Sequence, residues 1–90
     1  MIEGVQLGEV IDFQKGRCLV IQLKGEDTKI CMGDQLEFRT PDRKIKTAEV
    51  KYLSNSQFLD QSEINGDDSL AFISYTSGVS PRSSVFLIGR

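Results

Sequence analysis

Apolar and polar residues alternate along this chain in short runs broken by turn residues, and no window keeps the i, i+3, i+4, i+7 spacing of an amphipathic helix. The pattern predicts strands. From Val5 to Phe13, one face carries Val5, Leu7, Glu9, Ile11 and Phe13 and the other Gly8 and Val10, until Gln14-Lys15-Gly16 ends the run as a turn. Arg17 to Leu23 is apolar on both sides, with Leu19, Ile21 and Leu23 opposite Cys18 and Val20, which predicts a strand buried from two directions.

Gly25-Glu26-Asp27 breaks that strand, and a short extended piece around Ile30 leads to the turn Met32-Gly33-Asp34. Gln35 to Arg39 then alternates with Leu36 and Phe38 inward, and Thr40-Pro41-Asp42-Arg43 closes a hairpin, because proline presets φ at the first central position of a turn. The return run, Ile45 to Leu53, places Lys46, Ala48, Val50 and Tyr52 on the core face, with Lys46 at its wet end. Between Ser54-Asn55-Ser56 and Asn65-Gly66-Asp67-Asp68 the apolar residues Phe58, Leu59 and Ile64 are too few for a regular element, and irregular chain is expected. Ser69 to Tyr75 and Ser84 to Ile88 complete the set. The expected core is Val10, Leu19, Ile21, Leu36, Phe38, Val50, Leu70, Phe72 and Leu87.

Six or seven short strands without a crossover helix predict an all-β fold: a single small antiparallel β-barrel spanning residues 1–90. Closure is expected because an open sheet of this size would leave two long edges. A chain of 90 residues supports one core, so this domain is expected to be cut from, or to act beside, something larger.

Charge changes the picture of function more than of fold. The formal net charge is −2, so the molecule lacks the broad positive field that drives sequence-independent binding to phosphate backbones. Asp34 to Leu53 nevertheless gathers Arg39, Arg43, Lys44, Lys46 and Lys51, while Ser54 to Arg90 carries four acids against Arg82 and Arg90. The plain reading of such a basic hairpin is a solvated, edge-guarding face. Cys18 and Cys31 are too far apart in sequence for a C-x-x-C site and fit small buried hydrophobes in a reducing, cytoplasmic setting. Met1-Ile2-Glu3-Gly4 shows neither a basic region nor an apolar signal core, and no apolar run is long enough to span a bilayer, so no membrane association is expected.

Catalytic chemistry finds little to work with. The sequence contains no histidine, which removes Ser-His and Cys-His nucleophile pairs as well as mixed Cys/His metal sites. No phosphate-cradling glycine loop is present, so no nucleotide cofactor is expected. Asp67 and Asp68, with Asn65 and Glu63, lack the alternating ligand spacing of a calcium loop and read as a turn whose carboxylates accept backbone N–H bonds. Asp60 and Glu63 have no sequence-visible pocket to make them an acid and base. No catalytic, metal or cofactor residues are assigned.

The order of turns resembles the second domain of translation GTPases of the elongation factor Tu type. The resemblance rests on Gly8-Glu9-Val10 in the first strand, on Gly33-Asp34 ahead of Gln35-Leu36-Glu37-Phe38, on the strand Lys44 to Val50, and on Gly66-Asp67 ahead of Ser69-Leu70-Ala71-Phe72. The third Gly-Asp turn usual in that family is replaced by Val79-Ser80-Pro81-Arg82-Ser83-Ser84. Similar barrels form the C-terminal domain of collagenase-like peptidases and small free-standing translation-factor-like proteins, whose closing strand Val85 to Arg90 resembles. The resemblance implies a small β-barrel that binds rather than reacts. By that implication the chain is a non-catalytic accessory module contacting RNA, as tRNA or ribosome, or a partner protein, with Arg39, Arg43, Lys44 and Lys46 as the expected contact residues. The alternative is a structural domain packed against the catalytic domain of a larger enzyme such as a collagenase-like peptidase.

Overall fold

A computed structural model describes residues 5–89 and places nine strands: β1 (Val5–Gln14), β2 (Cys18–Leu23), β3 (Lys29–Cys31), β4 (Gln35–Arg39), β5 (Ile45–Glu49), β6 (Leu53–Ser54), β7 (Glu63–Asn65), β8 (Leu70–Ser74) and β9 (Ser84–Gly89). The expectations placed on residues 1–4 and on Arg90 lie outside the described residues. Seven strands form one antiparallel sheet in the order β5-β4-β9-β1-β2-β8-β6, and β3 pairs with β7 as a separate ribbon. Among the described residues no helix is long and apolar enough to cross a membrane.

The strand order itself requires the sheet to curl. β5 and β6 stand at opposite ends of the sheet, yet only residues 50–52 join them. Four steps of chain reach at most ~14 Å, whereas the outer strands of a flat seven-stranded sheet would lie ~29 Å apart at ~4.8 Å per strand. The result is a half-barrel of seven antiparallel strands, which bears out the small all-β barrel expected from the sequence; its edges approach one another without pairing, so β5 keeps a free edge.

The inner face carries the core. Leu7, Val10, Leu19, Ile21, Leu23, Leu36, Phe38, Leu53, Ala71, Ile73 and Val85 from the sheet meet Ile30 from β3 and Val50 and Val79 from the connections, all essentially shut off from solvent. Burying a side chain such as Phe38 contributes about 1.5–3 kcal/mol each. Asp34 is buried as well, its Oδ2 accepting the Cys31 N–H at 2.8 Å, and Gly33 (φ 87°) donates its N–H to the Val50 carbonyl. Thus the first Gly-Asp turn bonds backward to β3 and sideways to residue 50 rather than to the strand it launches. At the second, Gly66 (φ 102°) turns the chain and Asp67 accepts the Gly25 N–H at 2.7 Å, tying together two loops distant in sequence.

Several expectations need correction. Strict alternation along β1 fails because register shifts at Gln6/Gly8 and Val10/Asp12 re-phase the strand, so that Leu7 and Val10 are both buried while Ile11 and Phe13 are exposed. A bulge adds a residue and moves every later side chain to the other face. On β8 the inward residues are Ala71 and Ile73, opposite Ile21 and Leu19, whereas Leu70 and Phe72 lie on the outer face and are half-buried. Leu87 is half-buried, packed on the edge of the core. β5 stops at Glu49 because Val50 leaves the ladder to exchange bonds with Gly33 and Asp34, and Tyr52 is exposed. Leu53, expected to end the strand that starts at Ile45, instead opens the separate strand β6, and the segment expected to be irregular supplies β7. Cys18 is buried, but Cys31 is only half-buried, its Sγ lying 3.7 Å from Glu63 Oε1.

Candidate functional site

The hairpin that carries most of the basic residues is held by its own backbone. Thr40 N–H donates to the Lys44 carbonyl at 2.9 Å, Lys44 N–H donates to Thr40 Oγ1 at 2.9 Å, and Arg43 occupies the left-handed region (φ 68°) at the tip. The Thr40 hydroxyl also donates to Asp42 Oδ1. That bond, with help from the Lys44 charge, holds the Asp42 carboxyl below its ordinary value.

Alternation then divides the expected contact residues between two faces. Arg39 lies on the outer face beside Ile45, its cross-strand partner. Its Nε is 2.6 Å from Glu37 Oε2 and its guanidinium sits 4.0 Å from the centre of the Phe86 ring. Lys44 and Lys46 lie on the opposite face, Lys46 across from the buried Phe38. The four charges therefore do not make one patch, and Arg39 is largely committed to Glu37 and Phe86.

What Lys44 and Lys46 do line is a groove of about 530 Å³ at one end of the half-barrel. Its other side is the segment from Tyr75 to Ser80, and Phe13 and Lys15 complete it. Lys46 lies so close over Gly78 that an added Cβ there would stand 2.9 Å from Lys46 Cε, which places β5 directly across the groove from that segment. Phe13 and Tyr75 form an apolar wall, their rings 6.4 Å apart. Asp42 stands at the rim, with Oδ2 3.7 Å from Lys44 Nζ. Three lysines face one carboxylate here, so the groove favours an anionic occupant.

Sequence reasoning did not connect Lys15, Phe13 and Tyr75 to this site. In the sequence Lys15 reads only as a turn residue, and the alternation that places Phe13 is overridden by the β1 bulge. The acidic groups singled out in the sequence are occupied elsewhere: Asp67 caps Gly25, Asp68 meets Lys24 at 3.2 Å, and Glu63 accepts from Asn65 at 2.9 Å and lies 3.7 Å from Lys29. Asp60 is held through its backbone, in an isolated β-bridge with Ser54.

No protein-family model matches the sequence, and no curated protein matches it either. The backbone, by contrast, superimposes on a solved structure, the crystallised C-terminal domain of a Geobacillus thermoleovorans protein assigned to the U32 peptidases. The TM-score is 0.80 with 11% sequence identity, and the match covers 99% of this chain and 100% of that one. The selenomethionine variant of the same domain gives a TM-score of 0.73 at 12% identity, covering 94% and 99%. The likeness establishes a shared fold. In fold it matches the peptidase C-terminal part of the sequence resemblance, while the elongation-factor part rests on the turn pattern alone.

Proposed function

We propose that this chain is a non-catalytic accessory module that packs against the catalytic part of a larger enzyme, with a peptidase of the U32 kind as a structural precedent. The observation that carries this reading is the backbone likeness, over 99% of the chain, to a domain located at the C-terminus of such a protein. The surface supports it: Ile45 and Ile88 stand exposed and Phe86 half-buried on the outer face of β5, β4 and β9, a stripe suited to a covering partner. The sequence supports it too, since a chain without histidine offers no ordinary nucleophile-base pair.

Contact with RNA is the second reading, and the groove of Lys15, Lys44 and Lys46 beside Phe13 and Tyr75 is what favours it. Against it stand the net charge of −2 and the diversion of Arg39 to Glu37. The two readings separate in native co-purification. Tagged chain recovered from its host's lysate is expected to bring down one enzyme polypeptide at near-equal amount, unaffected by nuclease. Recovery dominated by RNA and abolished by nuclease contradicts the accessory reading.

A further inference from the structure

The groove and the free edge of β5 lie side by side, and each alone has a plain explanation. Lysines on an edge strand keep it from pairing with other chains, and an edge strand is unavoidable in a sheet that does not close. Their arrangement asks for more. β5 is the terminal strand of the sheet, bonded on one side only to β4. Alternate residues of such a strand aim their N–H and C=O groups away from the sheet. On the groove face the strand and its lead-in present Lys44 and Lys46, joined across the groove by Lys15. On the other face the same strand presents Ile45, which is well exposed.

From this geometry we infer that β5 is a docking edge for an extended protein segment in which acidic and apolar residues alternate. An added strand would complete the ladder on the open side of β5. Its side chains on one face would then stand opposite Lys44 and Lys46, and those on the other opposite Ile45, at cross-strand distances of about 4.5–5.5 Å. A strand of alternating glutamate and valine satisfies both faces at once. RNA satisfies only the lysines: it has no backbone to continue the ladder and nothing apolar to set beside Ile45. The groove is also short, and the remaining surface is net acidic, which penalises a long polyanion more than a few carboxylates. This docking edge shares only Ile45 with the outer-face stripe of the proposed enzyme contact, and its ladder edge and lysines do not depend on that contact.

The test uses the full chain and a fluorescein-labelled peptide of alternating glutamate and valine, long enough to lie along β5, titrated by fluorescence anisotropy at low salt. The comparison probes are the same peptide with lysine for glutamate and a labelled oligouridylate. The acidic peptide is expected to bind, the lysine peptide not to bind, and the oligouridylate to bind more weakly than the acidic peptide. Replacing Lys15, Lys44 and Lys46 together with alanine is expected to weaken the acidic peptide by roughly tenfold, with circular dichroism unchanged. Lys44→Glu alone provides a second variant at an exposed position should the triple variant unfold, and it should also weaken binding. In the backbone NMR spectrum, amide shifts on peptide addition are expected along residues 44–49. Absence of acidic-peptide binding, binding indifferent to both variants, shifts confined to other strands, or tighter binding of oligouridylate would each overturn the inference.

Discussion

On the outer face of β2 and β8, Cys18 and Val20 are buried, and half-buried Phe72 receives Phe58 edge-on with ring centres 5.3 Å apart. On the outer face of β5, β4 and β9, Ile45 and Ile88 stand in solvent, and Phe86 is shielded by the Arg39 guanidinium. Both faces are built from apolar residues on regular strands; the difference is a loop. Asn55 Oδ1 accepts the N–H groups of Gln57 and Leu59, at 2.9 and 3.1 Å, and Phe58 N–H donates to the Asn55 carbonyl, which holds Phe58 at φ 60° over the sheet. A bulky residue in that conformation is unfavourable by itself and persists where surrounding contacts fix it. One half of the molecule therefore lays its own loop over its strands, and the other leaves Ile45 and Ile88 in solvent.

The largest effects should come from the inner face that both halves share. Phe38→Ala removes the largest fully buried side chain and is expected to cost about 3–5 kcal/mol in denaturant unfolding. A loss below about 1 kcal/mol would mean that Phe38 is not in the core. Gly8→Ala tests the β1–β2 contact from the backbone side: a Cβ at Gly8 would fall 2.0 Å from the Gln22 carbonyl oxygen, so the strands must part. The cost should be about 2–3 kcal/mol, read as a fall in the urea midpoint with little change in slope.

The paired variants Phe58→Ala and Ile45→Thr address the two outer faces directly. Phe58→Ala gives up the edge-on contact with Phe72 and should destabilise by about 1 kcal/mol. Ile45→Thr, on a face that nothing among the described residues covers, should stay within about 0.5 kcal/mol of the parent. Equal losses would erase the distinction between the halves. The smallest change expected is at the hairpin tip, where Arg43 holds a positive φ with no contact that requires arginine. Arg43→Gly should raise stability by about 0.5 kcal/mol in thermal melts, since glycine occupies that region without a Cβ penalty.

The same contrast explains what the sequence could reveal. The two-sided burial of β2, the inward Leu36 and Phe38, and the turns at Gly33 and Gly66 were legible, because each depends on residues next to one another in the chain. The face of β8 was not: Leu70 and Phe72 are larger and more apolar than Ala71, and what turns them outward is their register with β2 and the arrival of Phe58 from a distant loop. The β1 bulges were invisible for the same reason, being set by the partners on either side. At the site, the basic hairpin was legible as a concentration of charge. Its division between two faces follows from simple alternation, but Lys15, Phe13 and Tyr75 join Lys44 and Lys46 only once the half-barrel has curled.

The account rests on β5 being the uncovered, proposed docking edge of a molecule whose other outer face carries its own loop, and native-state hydrogen exchange read by NMR measures this most directly. In the free chain the amides of β2 and β8 should exchange slowest and those of β5 among the fastest of the strands, since β5 is bonded on one side only. Adding the alternating glutamate–valine peptide should slow exchange along residues 45–49 and leave β8 and the loop at Phe58 unchanged. Slow exchange along β5 in the free chain, or protection that appears on β8 instead of β5 when the peptide is added, would contradict it.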